Sequence, residues 1–471
     1  MNKNCTKRTM TAKILILGGL GYIGSILYKI LKQEEWEVDI LDNHLYKDLH
    51  PQNPYIEADI RNRNKLERIL KNYDVIVNLA AIVGDPACLI DTSLAIDINC
   101  IGARNVAEIC KKLKKFVVHI STCSIYGSEP NKTVKEEDEG FPIDFYGQTK
   151  YTQERLIREI CDDNHCILRL GTAYGLSPRM RYDLVVNAFA ARAIKFKKIT
   201  VFGGEQERPF VHIRDISRAI LHVIKNGLNG IYNIKGENLS LLKLGETVKK
   251  ITNCEIEINR NIVDKRSYIV DSGKITNTGF KFKYNIEDAI KEIILSPTVQ
   301  EFHKGIYSNL KLAERVKIAE TIGKRNMNLI EGGIAVDDRG TLHFANDFNF
   351  YGVKRFYQVQ NFNTSTIRAF HGHLNEAKYV YVSKGSAIVA VVKLDNIEKP
   401  SKTEKVNRYI LSDRNPQVLF IPPRYANGFK PLENDTRIIF FSTSSLEESK
   451  GDDYRFPADY WGSEIWEIEN R

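Results

Sequence analysis

The stretch ILILGGLGYIGSIL, residues 14–27, decides the fold of the first half of the chain. Its four leading apolar residues predict a buried strand of a parallel sheet. Gly18, Gly21 and Gly24 follow as GxxGxxG, at the start of a helical pattern. Glycines without Cβ atoms permit a tight turn and let a pyrophosphate approach the helix N-terminus, where the helix dipole favours an anion. The stretch therefore predicts a dinucleotide-binding strand, turn and helix.

The same rhythm continues for about 300 residues, because short apolar runs alternate with longer amphipathic stretches. Alternation of this kind predicts βαβ units in a doubly wound α/β sheet of the Rossmann type. The further runs that predict strands are Glu37 to Leu41, Val75 to Leu79, Phe116 to Ile120 and Cys166 to Leu170.

After roughly residue 320 the pattern changes to β-rich segments broken by Gly, Pro, Asn and Asp, which predicts an all-β domain. Its clearest runs are Tyr379 to Ser383, Ala387 to Leu394 and Val418 to Ile421. We expect a dinucleotide-binding domain over residues 1–312, a helical connector over 313–324 and the β domain over 325–471.

Composition excludes a disordered chain or a single small module: the 471 residues are 43% hydrophobic and 27% charged. The net charge of +9 is spread along the chain, which favours an anionic small substrate over nucleic acid or anionic lipid. No apolar run approaches the ~18 residues of a membrane span, so we expect a soluble protein. All eight cysteines precede residue 255 and none forms CxxC, which favours a reducing cytoplasm.

Asp42 ends the second predicted strand, 18 residues after Gly24. A carboxylate at this place can accept hydrogen bonds from both ribose hydroxyls and would repel a 2′-phosphate, so NAD is favoured over NADP. The alternative for Asp42 is an aspartate that only caps a turn or helix.

Three more pieces follow in order: NLAA at 78–81, STCSIYG at 121–127, and Tyr146 with Lys150 as YxxxK. Positions four apart share a helix face, so we expect the Lys150 ammonium to lower the pKa of the Tyr146 phenol. Such a tyrosine can exchange a proton with a sugar hydroxyl or ketone while a hydride moves to or from a nicotinamide. The Thr122 hydroxyl would share that hydrogen bond.

On these motifs, the first ~300 residues resemble the extended short-chain dehydrogenases/reductases of the nucleotide-sugar epimerase/dehydratase family. The resemblance implies an NAD site that includes Gly18, Gly21, Gly24, Asp42, Ala80 and Lys150, with Asp59 at the adenine edge. It places nucleotide-sugar contacts on Asn187, Arg208 and Arg266. Guanidinium forks suit a diphosphate, although each arginine taken singly could form a surface ion pair instead.

One departure from the family is informative. Its 4,6-dehydratases place Asp-Glu after the threonine, whereas this chain has Cys123 and Ser124 there. Neither residue replaces that acid/base pair, so ketone reduction or C4 epimerisation remain as the expected reactions.

Residues 325–471 resemble the dTDP-4-dehydrorhamnose 3,5-epimerases and the related sugar 3,4-ketoisomerases, which are cupin β-barrels. The resemblance rests on VDDRG (336–340), TIRAFHGH (366–373), KYVYVSKG (378–385), FIPPRYANGF (420–429) and DDYRFPADYWG (452–462).

His371 and His373 are two apart and share a strand face, as the first ligands of a cupin metal do. The places of the next two ligands hold Lys378 and Asn427. Because one ligand is replaced by a cation, we expect no metal here.

The remaining set suits proton abstraction beside a ketone. We expect His371 as base, Asp459 to orient its imidazole, Lys378 to stabilise an enolate, and Arg368 near the diphosphate. The alternatives are a barrel histidine bonded to backbone groups and a surface aspartate. Phe440 stands where the 3,5-epimerases have an acid tyrosine, which favours epimerisation at one centre or ketoisomerisation.

The leading hypothesis is a bifunctional enzyme of deoxysugar biosynthesis. Its cupin would epimerise an NDP-4-keto-6-deoxysugar, and its dehydrogenase half would reduce the ketone with NADH. The alternative is an NDP-sugar 4-epimerase with bound NAD, joined to a ketoisomerase or one-centre epimerase; a non-enzymatic nucleotide-sugar sensor is a third reading. We expect a homodimer without nucleic-acid or membrane partners. The nucleotide base, the sugar and the carbon that the cupin acts on stay open.

Overall fold

The chain forms two compact units that divide after Val316. The computed structural model describes residues 12–46, 51, 53–261, 266–324, 327–348, 350 and 352–468. Seven cysteines in these ranges are free thiols, while Cys5 lies outside them. Within these ranges, helices that combine the length and apolar character needed to cross a bilayer do not occur.

The first unit alternates strands with helices. Its strands are β1 (Ile14–Leu17), β2 (Val38–Asp42), β3 (Ile56–Glu57), β4 (Val75–Asn78), β5 (Phe116–Thr122), β6 (Ser128–Val134), β7 (His165–Leu170), β8 (Thr172–Tyr174), β9 (Lys198–Phe202), β10 (Glu207–His212), β11 (Gly230–Ile234), β12 (Glu237–Ser240), β13 (Glu255–Asn259) and β14 (Ser267–Val270). Its helices are α1 (Tyr22–Gln33), α2 (Arg63–Leu70), α3 (Asp85–Ile90), α4 (Thr92–Ile96), α5 (Ala103–Leu113), α6 (Phe145–Cys161), α7 (Val185–Phe196), α8 (Ile213–Asn226), α9 (Leu241–Thr252), α10 (Gly273–Thr276), α11 (Ile286–Ile294) and α12 (Asn309–Lys324).

The central sheet of this unit has seven strands in the order β11-β7-β5-β4-β1-β2-β3, and all of its pairs are parallel. Two apolar clusters contain alternate residues of these strands, such as Ile14 and Ile16 in one and Leu15 and Leu17 in the other. The prediction of a doubly wound sheet is confirmed. The order of the strands reverses between β1 and β4, which is where doubly wound folds bind their ligands.

Helix α12 spans the division between the two units. Its early residues Leu312 and Ala313 are buried, and Ala313 packs in a core of the first unit. The boundary at Val316 lies four residues beyond the expected domain end at 312, inside the helix proposed as a connector.

The second unit is built from antiparallel strands, as the sequence predicts for a cupin. These are β15 (Asn328–Glu331), β16 (Gly333–Asp337), β17 (Gly340–Phe344), β18 (Arg355–Gln360), β19 (Arg368–His373), β20 (Lys378–Lys384), β21 (Ser386–Lys393), β22 (Val406–Ser412), β23 (Gln417–Ile421), β24 (Tyr425–Pro431), β25 (Arg437–Ser442) and β26 (Tyr454–Arg455). The short helix α13 (Leu446–Lys450) precedes β26.

Two five-stranded sheets, β15-β23-β20-β25-β18 and β22-β21-β24-β19-β26, form the body of this unit. One apolar cluster joins residues of both sheets, including Val380 and Leu419 from the first and Val389 and Phe429 from the second. The core therefore lies between the two sheets, as in other β-sandwiches.

Candidate functional site

A cavity of about 850 Å³ opens beside the glycine turn of the first unit. Gly18 has φ +75°, and a Cβ there would lie 2.8 Å from the backbone of Ala80. A Cβ on Gly24 would lie 2.6 Å from the backbone of Gly19. The missing side chain of Gly18 thus lets the loops after β1 and β4 touch, and that of Gly24 lets α1 pack on its own turn. All three predicted glycines line the cavity with Ala80.

The N-terminus of α1 faces this cavity. Gly21 precedes the helix and supplies no side-chain cap, and the first turn has no acidic residue. The first N–H groups of a helix are therefore available to an anion, and the cradle fits a dinucleotide pyrophosphate.

Asp42 lies at the end of β2 and lines the same cavity. Its Oδ2 accepts a hydrogen bond from Leu20 N at 3.1 Å, and its Oδ1 accepts one from His44 N at 2.8 Å. The carboxylate is thus fixed beside the glycine turn, where the sequence places the ribose.

Asp59 lies between Ala58 and Ile60, which both line the cavity. Its carboxylate accepts hydrogen bonds from Arg61 Nη2 at 2.8 Å and Asn43 Nδ2 at 2.9 Å. Burial opposes ionisation, but these bonds prevail and lower the pKa of Asp59 to about 2. The role of Asp59 at the adenine edge stays a prediction, since its two neighbours line the cavity and it does not.

Tyr146 and Lys150 share α6, and both line the cavity with Thr122. Burial lowers the pKa of Lys150 to about 8, and its Nζ donates a hydrogen bond to Gln153 Oε1 at 2.5 Å. Burial also raises the pKa of Tyr146 above its ordinary value. The pKa of Tyr146 thus moves opposite to the expected direction, because the loss of solvent outweighs the opposing charge of Arg181.

Thr122 and its two successors occupy different environments. Thr122 Oγ1 lies 3.2 Å from Ser124 Oγ, and both residues line the cavity. Cys123 is buried, its Sγ donates to Arg169 O at 3.3 Å, and burial raises its pKa. Its thiol is directed at the protein backbone, which agrees with the expected lack of a dehydration acid/base pair.

Arg208 and Arg266 come together around Tyr268 on the cavity wall. The Arg208 guanidinium lies 5.6 Å from the centre of the Tyr268 ring, and both arginines oppose the rise in the pKa of that buried phenol. Arg266 Nη1 also contacts Asp144 Oδ2 at 3.1 Å. The structure thus assembles two of the three expected nucleotide-sugar residues.

Asn187, the third, has a different role. It is 0% exposed, and its Oδ1 accepts a hydrogen bond from Gly175 N at 3.0 Å. Its Nδ2 donates to Tyr22 Oη at 3.0 Å and to Arg181 O at 2.8 Å. Because both amide hydrogens are used inside the protein, the prediction that Asn187 contacts substrate is wrong; it fixes a loop wall.

In the second unit, His371 pairs with Asp453 and not with Asp459. His371 Nδ1 lies 2.9 Å from Asp453 Oδ1, while Asp453 Oδ2 accepts from Arg455 Nε at 2.9 Å. Burial alone would raise the pKa of Asp453, but these two bonds lower it. Asp459 is exposed, and its backbone oxygen accepts from Gly462 N. Both carboxylates occur in the same motif, and strand pairing of β19 with β26 brings the earlier one to the histidine.

Lys378 is buried beside the second histidine of the HxH pair. Its Nζ lies 2.7 Å from His373 Nε2, and His373 Nδ1 lies 2.5 Å from Asp452 O. A carbonyl only accepts, so Nδ1 carries the hydrogen and Nε2 accepts from the ammonium. Burial lowers the pKa of both groups, and Glu376 partly opposes this. The Lys378 ammonium thus hydrogen-bonds to His373 Nε2, the ring nitrogen that would otherwise bind a metal.

Among the described residues, no cluster of three or more His, Cys, Asp and Glu side chains could hold a metal ion. Arg368, at the start of β19, is exposed, and its Nε donates to Asn361 Oδ1 at 2.9 Å. It lies three residues before His371 on the chain, and its place near the diphosphate stays a prediction.

Tyr357 is a candidate that the sequence reasoning missed. Its ring stacks on Phe440 with centroids 5.1 Å apart, and the Arg355 guanidinium lies 5.0 Å from its centre. Burial and the charges of Glu376 and Asp453 raise the pKa of its phenol. The pairing of β18 with β25 therefore puts a hydroxyl next to the phenylalanine that replaces the expected acid. The alternating pattern of RFYQVQ predicts which face of β18 carries Tyr357, but it does not predict that Phe440 lies next to it.

The first unit is thus a dinucleotide-dependent enzyme of the short-chain dehydrogenase type, and the second is a cupin with sugar-epimerase features. Residues 14–234 match the NAD dependent epimerase/dehydratase family, and residues 325–456 match the family of dTDP-4-dehydrorhamnose 3,5-epimerase. The N-terminal region of the chain belongs to the former family and the C-terminal region to the latter.

Curated relatives and solved structures agree with the first assignment. The UDP-N-acetyl-alpha-D-glucosaminuronate decarboxylase of Bacillus cytotoxicus is 27% identical over 53% of this chain and 83% of its own. The UDP-glucose 4-epimerase of Lactobacillus helveticus is 26% identical over 59% of this chain and 94% of its own. The UDP-glucuronic acid 4-epimerase of Bacillus cereus, solved with UDP-glucuronic acid and NAD, is 26% identical over 62% of this chain and all of its own, with a TM-score of 0.53.

The prediction that NAD is the cofactor agrees with these findings, since the family description names NAD and the B. cereus structure contains it.

Proposed function

We propose that this bifunctional enzyme epimerises an NDP-4-keto-6-deoxysugar in its cupin unit and reduces the 4-ketone with NADH in its first unit. The observation that carries the proposal is the His371–Asp453 pair, 2.9 Å apart, in a chain that also has a Tyr146–Lys150 cavity. A histidine with an orienting carboxylate can remove a proton from a carbon that a neighbouring ketone acidifies. A reductase on the same chain could then consume the epimerised ketone.

In the first unit, the glycine turn and α1 would hold NAD, and Asp42 would accept from its ribose hydroxyls. When bound as NADH, the cofactor supplies a hydride. Tyr146 donates its proton to the ketone oxygen, and its high pKa keeps it protonated for that role. Thr122 shares the hydrogen bond, and Arg208 and Arg266 bind the diphosphate through their guanidinium groups.

In the second unit, His371 removes the proton on the carbon next to the ketone. Asp453 holds the Nδ1 hydrogen, which leaves Nε2 as the base, and its charge stabilises the imidazolium that forms. The Lys378 ammonium stabilises the enolate oxygen, and Tyr357 is the candidate that returns a proton to carbon. The diphosphate of the nucleotide sugar would bind near Arg368.

A second candidate is favoured by the relatives. The proteins of L. helveticus and B. cereus are both 4-epimerases of UDP-sugars, and the latter is solved with NAD. In this reading the first unit is a 4-epimerase that keeps its NAD, and the cupin is a 3,4-ketoisomerase or one-centre epimerase.

The two candidates differ in the fate of the cofactor. Reduction predicts stoichiometric NADH oxidation with NDP-4-keto-6-deoxysugars and solvent deuterium in the product, and little NAD released when the purified protein is denatured. The 4-epimerase hypothesis predicts that denaturation releases nearly one NAD per chain and that no net NADH oxidation occurs. Normal binding of these sugars without any turnover would favour a sensor over both. The homodimer and the cytoplasmic location stay predictions; light scattering of the purified protein tests the former.

A further inference from the structure

The loop between β8 and α7 is fixed against the start of α1. Tyr22 Oη donates to Gly175 O at 2.5 Å, and Ser177 Oγ donates to Tyr22 O at 2.8 Å. Asn187 joins Tyr22 Oη to Arg181 O, so both ends of the loop are tied to the first residue of α1. Side chains of this loop are thereby held beside the helix N-terminus that faces the cavity.

Arg179 lies on this loop and carries a donor that the protein does not use. It is 8% exposed and lines the cavity. Its Nη2 donates to Asn309 Oδ1 at 2.7 Å, and its guanidinium lies 5.8 Å from the centre of the Tyr46 ring. Its Nη1 is buried without a hydrogen-bond partner among the residues that the structure describes.

The nearby carboxylate is already occupied. Asp183 binds Arg181 through both oxygens, at 2.9 Å to Nε and 3.0 Å to Nη2. Asp183 Oδ2 also accepts from Asn309 N at 2.9 Å. Burial and the charge of Arg181 lower the pKa of Arg179 to about 10, so it remains a cation at neutral pH. Among the described residues, Asp183 pairs with Arg181 and Arg179 forms no ion pair, so its buried charge favours the binding of an anion.

Two independent features of the cavity wall therefore favour an anion. The first is the N-terminus of α1, which has neither a side-chain cap nor an acidic first turn. The second is the unpaired Nη1 of Arg179. Phosphate oxygens match both, because guanidinium groups and helix N–H groups are their usual donors.

We propose that Arg179 binds the pyrophosphate of the dinucleotide cofactor together with the N-terminus of α1. This rests on the proposed function only in that the cavity binds NAD. The nucleotide-sugar diphosphate is instead assigned to Arg208 and Arg266, which lie by Tyr268. Arg179 would thus make a cofactor contact on a loop from the second half of the unit.

The test compares Arg179→Gln with Arg266→Gln in protein freed of cofactor, with calorimetric titration of NAD⁺, ADP-ribose, adenosine and UDP. Glutamine removes the charge and can still bond to Asn309. A lost charge-assisted hydrogen bond predicts about 10- to 100-fold weaker binding of NAD⁺ and ADP-ribose to Arg179→Gln. Adenosine and UDP should bind as to wild type. Arg266→Gln should show the reverse pattern, with UDP weakened and NAD⁺ unchanged.

Loss of UDP affinity with NAD⁺ binding retained in Arg179→Gln overturns the proposal, as does unchanged binding of all four ligands. If Arg179→Gln is unstable, Arg179→Lys decides, because it keeps the charge without the planar fork. The rise in Tm that ADP-ribose causes should then be smaller in Arg179→Lys than in wild type, and an equal rise overturns the proposal.

A wild type that binds ADP-ribose through Arg179 but turns over no sugar refutes the proposed reactions alone. A wild type that binds neither NAD⁺ nor ADP-ribose refutes the proposal that Arg179 and the N-terminus of α1 bind the pyrophosphate.

Discussion

Replacement of Asp453 by Asn tests the base assignment of the cupin unit. The carboxylate accepts from His371 Nδ1 at 2.9 Å and is about one-fifth exposed, so solvent screens it only in part. A charge-assisted hydrogen bond contributes about 2 kcal/mol, which corresponds to about 30-fold in rate. We therefore expect Asp453→Asn to slow proton abstraction by about 30-fold, because the imidazolium loses its counter-charge and the ring its fixed orientation.

The assay is solvent deuterium incorporation into an NDP-4-keto-6-deoxysugar, followed by NMR, with NADH oxidation measured in parallel. Asp459→Asn is the matched control: its carboxylate is exposed and makes no hydrogen bond to another described side chain, so it should exchange at the wild-type rate. NADH oxidation with a sugar that is already in the required configuration should be unchanged in both variants. Loss of exchange in Asp459→Asn with retention in Asp453→Asn would refute the structural assignment.

Four other outcomes are expected. Asp42→Ala should weaken NADH binding about tenfold through loss of the ribose hydrogen bonds and reduce discrimination against NADPH; tighter NADPH than NADH binding by wild type contradicts this. Tyr146→Phe should abolish hydride transfer while NAD binding, measured by fluorescence, persists; retained turnover removes this residue from the mechanism. Since the Lys150 ammonium is present below its pKa of about 8 and is lost above it, the rate of ketone reduction should fall as pH rises through about 8, and Lys150→Met should lack that limb. Chelators should leave deuterium exchange unchanged because the Lys378 ammonium occupies the nitrogen that a metal would need, whereas loss with EDTA and recovery with zinc would disprove the metal-free reading.

Local pattern was sufficient to predict a doubly wound α/β unit, an all-β unit and the cofactor cradle, whereas the cupin assignment came from the resemblance of its motifs to a family. The apolar run Ile14–Leu17 and the following glycines indicate a strand and a turn by their spacing alone, and the structure places them as expected. The strands of the second half were likewise evident from runs such as Ala387 to Leu394. The pair Tyr146 and Lys150 needed only the helix repeat to be placed on one face.

The sequence by itself therefore determined the class of each unit and the elements that carry its chemistry, since these depend on periodicity and on residues a few positions apart. Tertiary structure alone decided which distant groups meet. Asp453 contacts His371 because β26 pairs with β19, whereas Asp459, six residues later, is left in solvent. The direction of the Tyr146 pKa and the unused donor of Arg179 follow from burial by elements far apart in the chain. Desolvation of this kind is a property of the packed molecule, which no local spacing encodes.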